Sequence, residues 1–199
     1  TSPNHPTSES APLSPGAIGI LGGSFSPPHV GHVLAAHYAL MRWELKKVLV
    51  IPSFAHPFGK PLPAFEHRLE MCRLAFQHLG NAVEISDLER DLGGVSYTVE
   101  TVRELTHRLN GQRLRLIIGG DILADLPKWR QFDDLNRLAP MAVVPRLKEG
   151  QVLGGAPHEA ALPDVSSTYI REQIAQNQPP NGTLPSTVIS YIEEHKLYR

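Results

Sequence analysis

The stretch from Gly22 to His32 reads G-G-S-F-S-P-P-H-V-G-H and carries residue types that handle phosphate. Gly22 and Gly23 allow backbone conformations closed to other residues and let a ligand approach the main chain. The apolar spacing that follows predicts a helix, whose first N–H groups lack intrahelical partners and favour an anion. His29 and His32 then occupy neighbouring positions on one face of that helix start, with Gly31 between them leaving room for a ligand. Two imidazoles there can donate hydrogen bonds to polyphosphate oxygens and follow the charge that builds as an α-phosphate is attacked. Neither has to become a covalent nucleophile. Taken alone, such a pair more often caps a tight strand-to-helix turn. A zinc pair is disfavoured, because the chain has one cysteine and no obvious third ligand nearby.

A second stretch, Val165 to Arg171, reads V-S-S-T-Y-I-R and sets three hydroxyl residues at a helix start with an arginine about one turn in. Ser and Thr are favoured N-caps, which is the bland account of this segment. The guanidinium adds a planar fork that is always charged and binds phosphate through two donors at once.

Together these stretches resemble the two signatures of the H-x-G-H nucleotidyltransferase superfamily, G-G-[ST]-F-D-P-x-H-x-G-H and I-S-S-T-x-I-R. Ser26 stands where that superfamily usually has Asp. The resemblance implies a Rossmann-like, doubly wound α/β fold of the HUP type, a mainly parallel sheet with helices on both faces. It also implies that His29, His32 and Arg171 are catalytic. ATP binding falls to Gly22, Gly23, Ser24, Phe25, Gly31, Gly119, Asp121, Arg146, Ser167 and Thr168, together with those three. The metal is then Mg²⁺ carried by ATP, with no protein ligand assigned to it.

The middle of the chain narrows the acceptor. S-Y-T-V-E-T, Ser96 to Thr101, and I-I-G-G-D-I-L-A-D-L-P-K-W, Ile117 to Trp129, resemble segments of bacterial nicotinate-mononucleotide adenylyltransferases. The resemblance implies that Trp129 stacks on a pyridine ring while Tyr97 and Thr98 meet its carboxylate, largely through backbone amides. Indole stacking on a flat heterocycle and helix-start amides facing a carboxylate are both physically sound. His56 and Lys60 lie where the family has a phosphate-covering loop, and they are added to the mononucleotide side. The expected reaction makes deamido-NAD and pyrophosphate in NAD biosynthesis. Two rivals remain open at this point. One keeps the transfer but changes the acceptor, to nicotinamide mononucleotide or phosphopantetheine, or the nucleotide, to CTP with an alcohol phosphate as acceptor. The other is a nucleotide-binding sensor without turnover, motivated by Ser26.

The elements that must position these residues follow an αβ rhythm. Strands are expected at Ala17 to Leu21, Lys47 to Ile51, Val83 to Ser86, Leu114 to Ile118 and Met141 to Pro145. Phe65, Leu69, Cys72, Phe76 and Leu79 share one helical face, as do Val30, Leu34, Tyr38 and Met41, and Val102, Leu105 and Leu109. A short helix carries Ile170 and Ile174 and stops at Pro179 and Pro180. A last one, with Val188, Ile189 and Ile192, begins near Pro185. In such a sheet the ligand sits beyond the carboxyl ends of the strands.

The 199 residues suit one domain, 17–199, preceded by a mobile Pro- and Ser-rich tail, 1–16. A net charge of −1 argues against nucleic-acid or membrane partners. A single cysteine and no long apolar run point to the cytoplasm. Arg103, Arg108, Arg113 and Arg115 are expected on a solvated face. A homo-oligomer is left open.

Overall fold

The computed structural model describes residues 15–55, 62–95, 97–156, 159–180 and 182–199. The first fourteen residues of the expected tail, together with Ser96, His56 and Lys60, lie outside them. Five parallel strands form the sheet: β1 (Ile18–Gly23), β2 (Lys47–Pro52), β3 (Val83–Ile85), β4 (Leu114–Gly119) and β5 (Met141–Val144). Their order is β3-β2-β1-β4-β5, so the winding reverses between β1 and β4. That is the switch point at which an open α/β sheet leaves a crevice for a ligand.

Because strand side chains alternate between faces, β1, β2, β4 and β5 each feed two cores, while the short edge strand β3 feeds the first alone. Val48, Val50, Ile117, Ala142 and Val144 meet helices α1 (Val30–Arg42), α2 (Phe65–Phe76), α6 (Ser167–Ala175) and α7 (Ser186–Glu194). Ile18, Ile20, Leu49, Leu116, Ile118 and Val143 meet α3 (Leu88–Leu92), α4 (Thr98–Arg108) and α5 (Phe132–Leu138). Burying both faces explains the near-continuous apolar runs of the strands. Cys72 is fully buried in the first core.

Four expectations need correction. Helix α1 turns Val33, Ala36 and Ala39 to the sheet and leaves Leu34 42% and Met41 72% exposed. Small alanines bring its backbone close to the strands, and of the expected stripe Tyr38 does pack against that core, partly buried. Helix α2 ends at Phe76, and Leu79 reaches the same core only from the 3-10 turns of Gln77–Ala82. Arg115 is buried inside β4 with its guanidinium towards the Met141 carbonyl, whereas Arg103, Arg108 and Arg113 are solvated as expected. Gly31 does not leave space for a ligand, since a Cβ there would lie 3.0 Å from the His29 ring, which fills that space.

Among the elements without a clear period in the sequence are the 3-10 run Gly120–Lys128 and the antiparallel hairpin β6 (Arg146–Lys148) and β7 (Gln151–Leu153). The hairpin folds back over the end of β4. A Cβ on Gly120 would meet the Leu153 carbonyl oxygen at 2.0 Å, so only glycine lets the two backbones pass. Among the described residues, no helix is long and apolar enough to cross a membrane.

Candidate active site

The register of the sheet brings the site's loops to one edge. Gly23 of β1 pairs with Pro52 of β2, and Gly119 of β4 pairs with Val144 of β5. The Ser53 amide donates to the Gly23 carbonyl at 2.8 Å, so the loops after β1 and β2 leave side by side. Phe25, with φ of 45°, turns the first loop inward and packs its ring against His32 and Phe76. Its side chain belongs to the core, and what it can offer a nucleotide is its main chain.

His29 precedes α1 and His32 lies in its first turn. Their rings stack with centroids 3.8 Å apart. The His29 backbone N–H donates to His32 Nδ1 at 3.1 Å, which leaves the His32 proton on Nε2. His32 therefore does cap the helix, as the bland account has it, and still presents a donor. Burial, reinforced by the Arg146 cation, brings the His29 pKa down to about 4. Burial together with His29 and Arg146 holds His32 well below the usual histidine range. Both rings are neutral at pH 7. His29 Nδ1 is buried without a hydrogen-bond partner, as is Asp121 Oδ1. A buried polar atom left unpaired is costly and marks a place where a ligand atom fits.

The second helix start is fastened directly onto the first loop. Ser167 Oγ donates to the Pro27 carbonyl at 2.9 Å, and Arg171 Nη1 donates to the Ser26 carbonyl at 2.7 Å. Arg171 Nη2 also reaches Thr168 Oγ1 at 3.2 Å. Ser166 is the N-cap of α6 and accepts from the Tyr169 amide. Arg146 closes the ring: it ion-pairs with Asp121 at 3.2 Å and donates to the Val165 carbonyl. Thus the segments carrying His29, His32, Asp121, Arg146, Ser167, Thr168 and Arg171 meet at the switch point.

Ser26 is fully buried and its hydroxyl donates to the Tyr198 hydroxyl at 3.2 Å. Burial raises the Tyr198 pKa to about 12, so that partner stays protonated. Ser26 thus serves the loop's anchorage to the chain's last turn. An Asp in its place would put a carboxylate beside Tyr198 and the Arg171 guanidinium.

On the other side of β4, Tyr97 is the N-cap of α4, Thr98 its first residue, and Trp129 ends the 3-10 run; all three are half-buried, Tyr97 and Trp129 against the second core. A half-open indole is free to stack in a way that a core tryptophan is not. The Arg130 guanidinium lies 4.6 Å from the Tyr97 ring centroid and ion-pairs with Glu100 at 3.1 Å. Sequence reasoning missed Arg130, although its position beside Trp129 was a signal. It also missed Arg68 and Glu89, two buried charges with no motif around them.

Residues 20–173 match the family model described as cytidylyltransferase-like. A relative from Anaeromyxobacter dehalogenans strain 2CP-1, named "probable nicotinate-nucleotide adenylyltransferase", is 43% identical over 92% of this chain and 96% of its own length. One of the same name from Myxococcus xanthus is 38% identical over 91% and 94%. The solved Plasmodium falciparum nicotinic acid mononucleotide adenylyltransferase complexed with NaAD superposes with a TM-score of 0.71 at 16% identity. It covers 92% of this chain and 97% of that one, a likeness of fold. With the model spanning most of its length and relatives this similar, the chain belongs to the cytidylyltransferase-like family, among its nicotinate-nucleotide adenylyltransferases.

Proposed function

We propose that this chain transfers the adenylyl group of ATP to nicotinate mononucleotide, releasing pyrophosphate and forming the deamido precursor of NAD. The observation that supports this most is the direct fastening of the α6 start to the histidine loop, through Ser167 to Pro27 and Arg171 to Ser26. Two elements suited to phosphate thereby face one crevice.

The 5′-phosphate oxygen of the mononucleotide attacks the α-phosphorus in line, and the bond to the bridging oxygen of pyrophosphate breaks. The protein's task is to hold two anions together and offset their repulsion. His32, protonated at Nε2, donates to the α-phosphate, and His29 Nδ1 gains the partner it lacks in the free protein. Ser167, Thr168 and Arg171 hold the departing phosphates. Three further donors of the Arg171 fork remain beyond its contacts to Ser26 and Thr168. Gly22, Gly23 and the main chain of Ser24 and Phe25 line the ATP side, with Gly119, Asp121 and Arg146 opposite. Trp129 stacks on the acceptor ring, and the first amides of α4 at Tyr97 and Thr98 meet its carboxylate.

ATP enters as its Mg²⁺ complex, which neutralises phosphate charge. The groups gathered at the crevice are imidazole, hydroxyl and guanidinium, which fit the phosphates, and one carboxylate, Asp121, ion-paired with Arg146; the phosphates of the nucleotide would carry the metal. The test incubates purified protein with ATP, Mg²⁺ and either pyridine mononucleotide in turn. Dinucleotide from the acid form, well ahead of the amide form, is the expected result. Failure to form dinucleotide from the acid, with ATP bound, would point to the sensor reading instead.

A further inference from the structure

Two buried charges converge on one residue of the loop after β2. Arg68, on α2, is 1% exposed and donates to four main-chain carbonyls. Nη1 reaches Ser24 at 3.0 Å and Ser53 at 2.7 Å, Nη2 reaches Phe54 at 3.1 Å, and Nε reaches Pro63 at 3.1 Å. Glu89, on α3, is 8% exposed. Its Oε2 accepts the Phe54 amide at 3.1 Å and its Oε1 accepts the Thr101 hydroxyl at 2.8 Å. Thr101 lies one helical turn past Tyr97, and its amide donates to the Tyr97 carbonyl at 3.3 Å. The main chain of Phe54 is therefore held by a cation at its carbonyl and by an anion at its amide.

Burying a charge is expensive unless hydrogen bonds compensate it, and apolar side chains would fill the same space at less cost. What the charges add is direction. The flat guanidinium fork fixes three separate segments at set angles, which a single ammonium cannot do. A continuous line of polar contacts then runs from Ser24, on the ATP side, through Arg68, Phe54, Glu89 and Thr101 to Tyr97, on the acceptor side.

We propose that Arg68 and Glu89 are positioning residues that hold the ATP-side loop after β1 and the acceptor-side start of α4 in register through the main chain of Phe54. This rests on the reading of the two subsites given above. Neither residue touches substrate; each acts through the backbone it orients, and their loss separates the two reacting phosphates.

Three variants test it: Glu89→Leu, Glu89→Gln and Arg68→Lys. The amide of glutamine can accept from the Phe54 N–H and donate to the Thr101 hydroxyl, so Glu89→Gln keeps the link while Glu89→Leu breaks it. In unliganded protein, amide exchange should quicken in Glu89→Leu at residues 53–55 and 97–101 and also at 24–26, beyond the side chain's own contacts. Glu89→Gln should leave all three near the parent. In steady state, Glu89→Leu should raise the KM for the mononucleotide roughly tenfold, the scale of lost charge-assisted hydrogen bonds, and Glu89→Gln should restore it. Arg68→Lys should raise the KM of both substrates. Exchange confined to 88–92, with both KM values within about twofold of the parent, would overturn the link. Should Glu89→Leu not fold, Thr101→Val cuts the same line at its acceptor end, and an unchanged mononucleotide KM there overturns it equally. The exchange arm needs no turnover. A parent protein that forms no dinucleotide therefore removes the functional reading alone, while an active parent with unaltered exchange in the variants removes the link alone.

Discussion

The neutrality of His29 and His32 follows from where their rings sit, stacked on each other, buried and near the Arg146 cation. Unfolding returns His29 from a pKa of about 4 to the ordinary 6.5, so below that value the unfolded chain takes up a proton that the folded chain refuses. Stability is therefore whole above pH 6.5 and falls as the pH drops from there towards 4. Thermal melting across this window, compared with His29→Gln, checks the sign: the parent should lose more than the variant. Polyphosphate has the opposite effect, because its negative charge favours the imidazolium. ATP binding near pH 6 should take up protons, read as a dependence of the calorimetric heat on the ionisation enthalpy of the buffer. A heat independent of buffer would contradict it. His32→Ala should lower kcat by roughly 10² to 10³, the usual effect of removing one transition-state donor, while circular dichroism still reports a folded protein. Near-normal turnover in that variant would remove His32 from the mechanism.

Among elements, the hairpin β6–β7 carries more of the site than its length suggests. Arg146 opens it, pairs with Asp121 just past β4 and reaches the carbonyl of Val165 before α6. The hairpin can lie this close only because its backbone passes Gly120 without a side chain between them. Gly120→Ala sets a Cβ against the Leu153 carbonyl, an oxygen that cannot swing away as a side-chain tip would. The expected cost is about 1–3 kcal/mol in urea unfolding, with a raised KM for ATP as Arg146 is displaced. An unchanged ATP KM would mean that the hairpin and the phosphate site are independent. Helix α1 illustrates the same dependence on close approach. Its alanines allow the His29–His32 turn to rest on the sheet edge, whereas Leu34 and Met41 face outward.

At the scale of the whole molecule, two cores share one sheet, and Cys72 lies in the first of them with its thiol pKa pushed far up by burial. The thiolate is the reactive form, so an aromatic disulfide reagent should label Cys72 only at the rate of unfolding and slower still with ATP bound. Rapid labelling of native protein would mean that α2 opens locally. The sequence by itself determined the alternating strands and helices, the glycine-histidine and hydroxyl-arginine stretches that lead into α1 and α6, the helix start at Tyr97 and the buried cysteine. These features are local: a period of two or 3.6, a cap, or a glycine pair is written in neighbouring residues. Only the tertiary structure decided that Ser167 and Arg171 grip Pro27 and Ser26, that Ser26 answers to Tyr198, and that Arg68 and Glu89 are buried hubs. Their partners are mostly backbone carbonyls and amides, which every residue possesses. No side-chain pattern in one dimension can reveal which of them the fold will bring within reach.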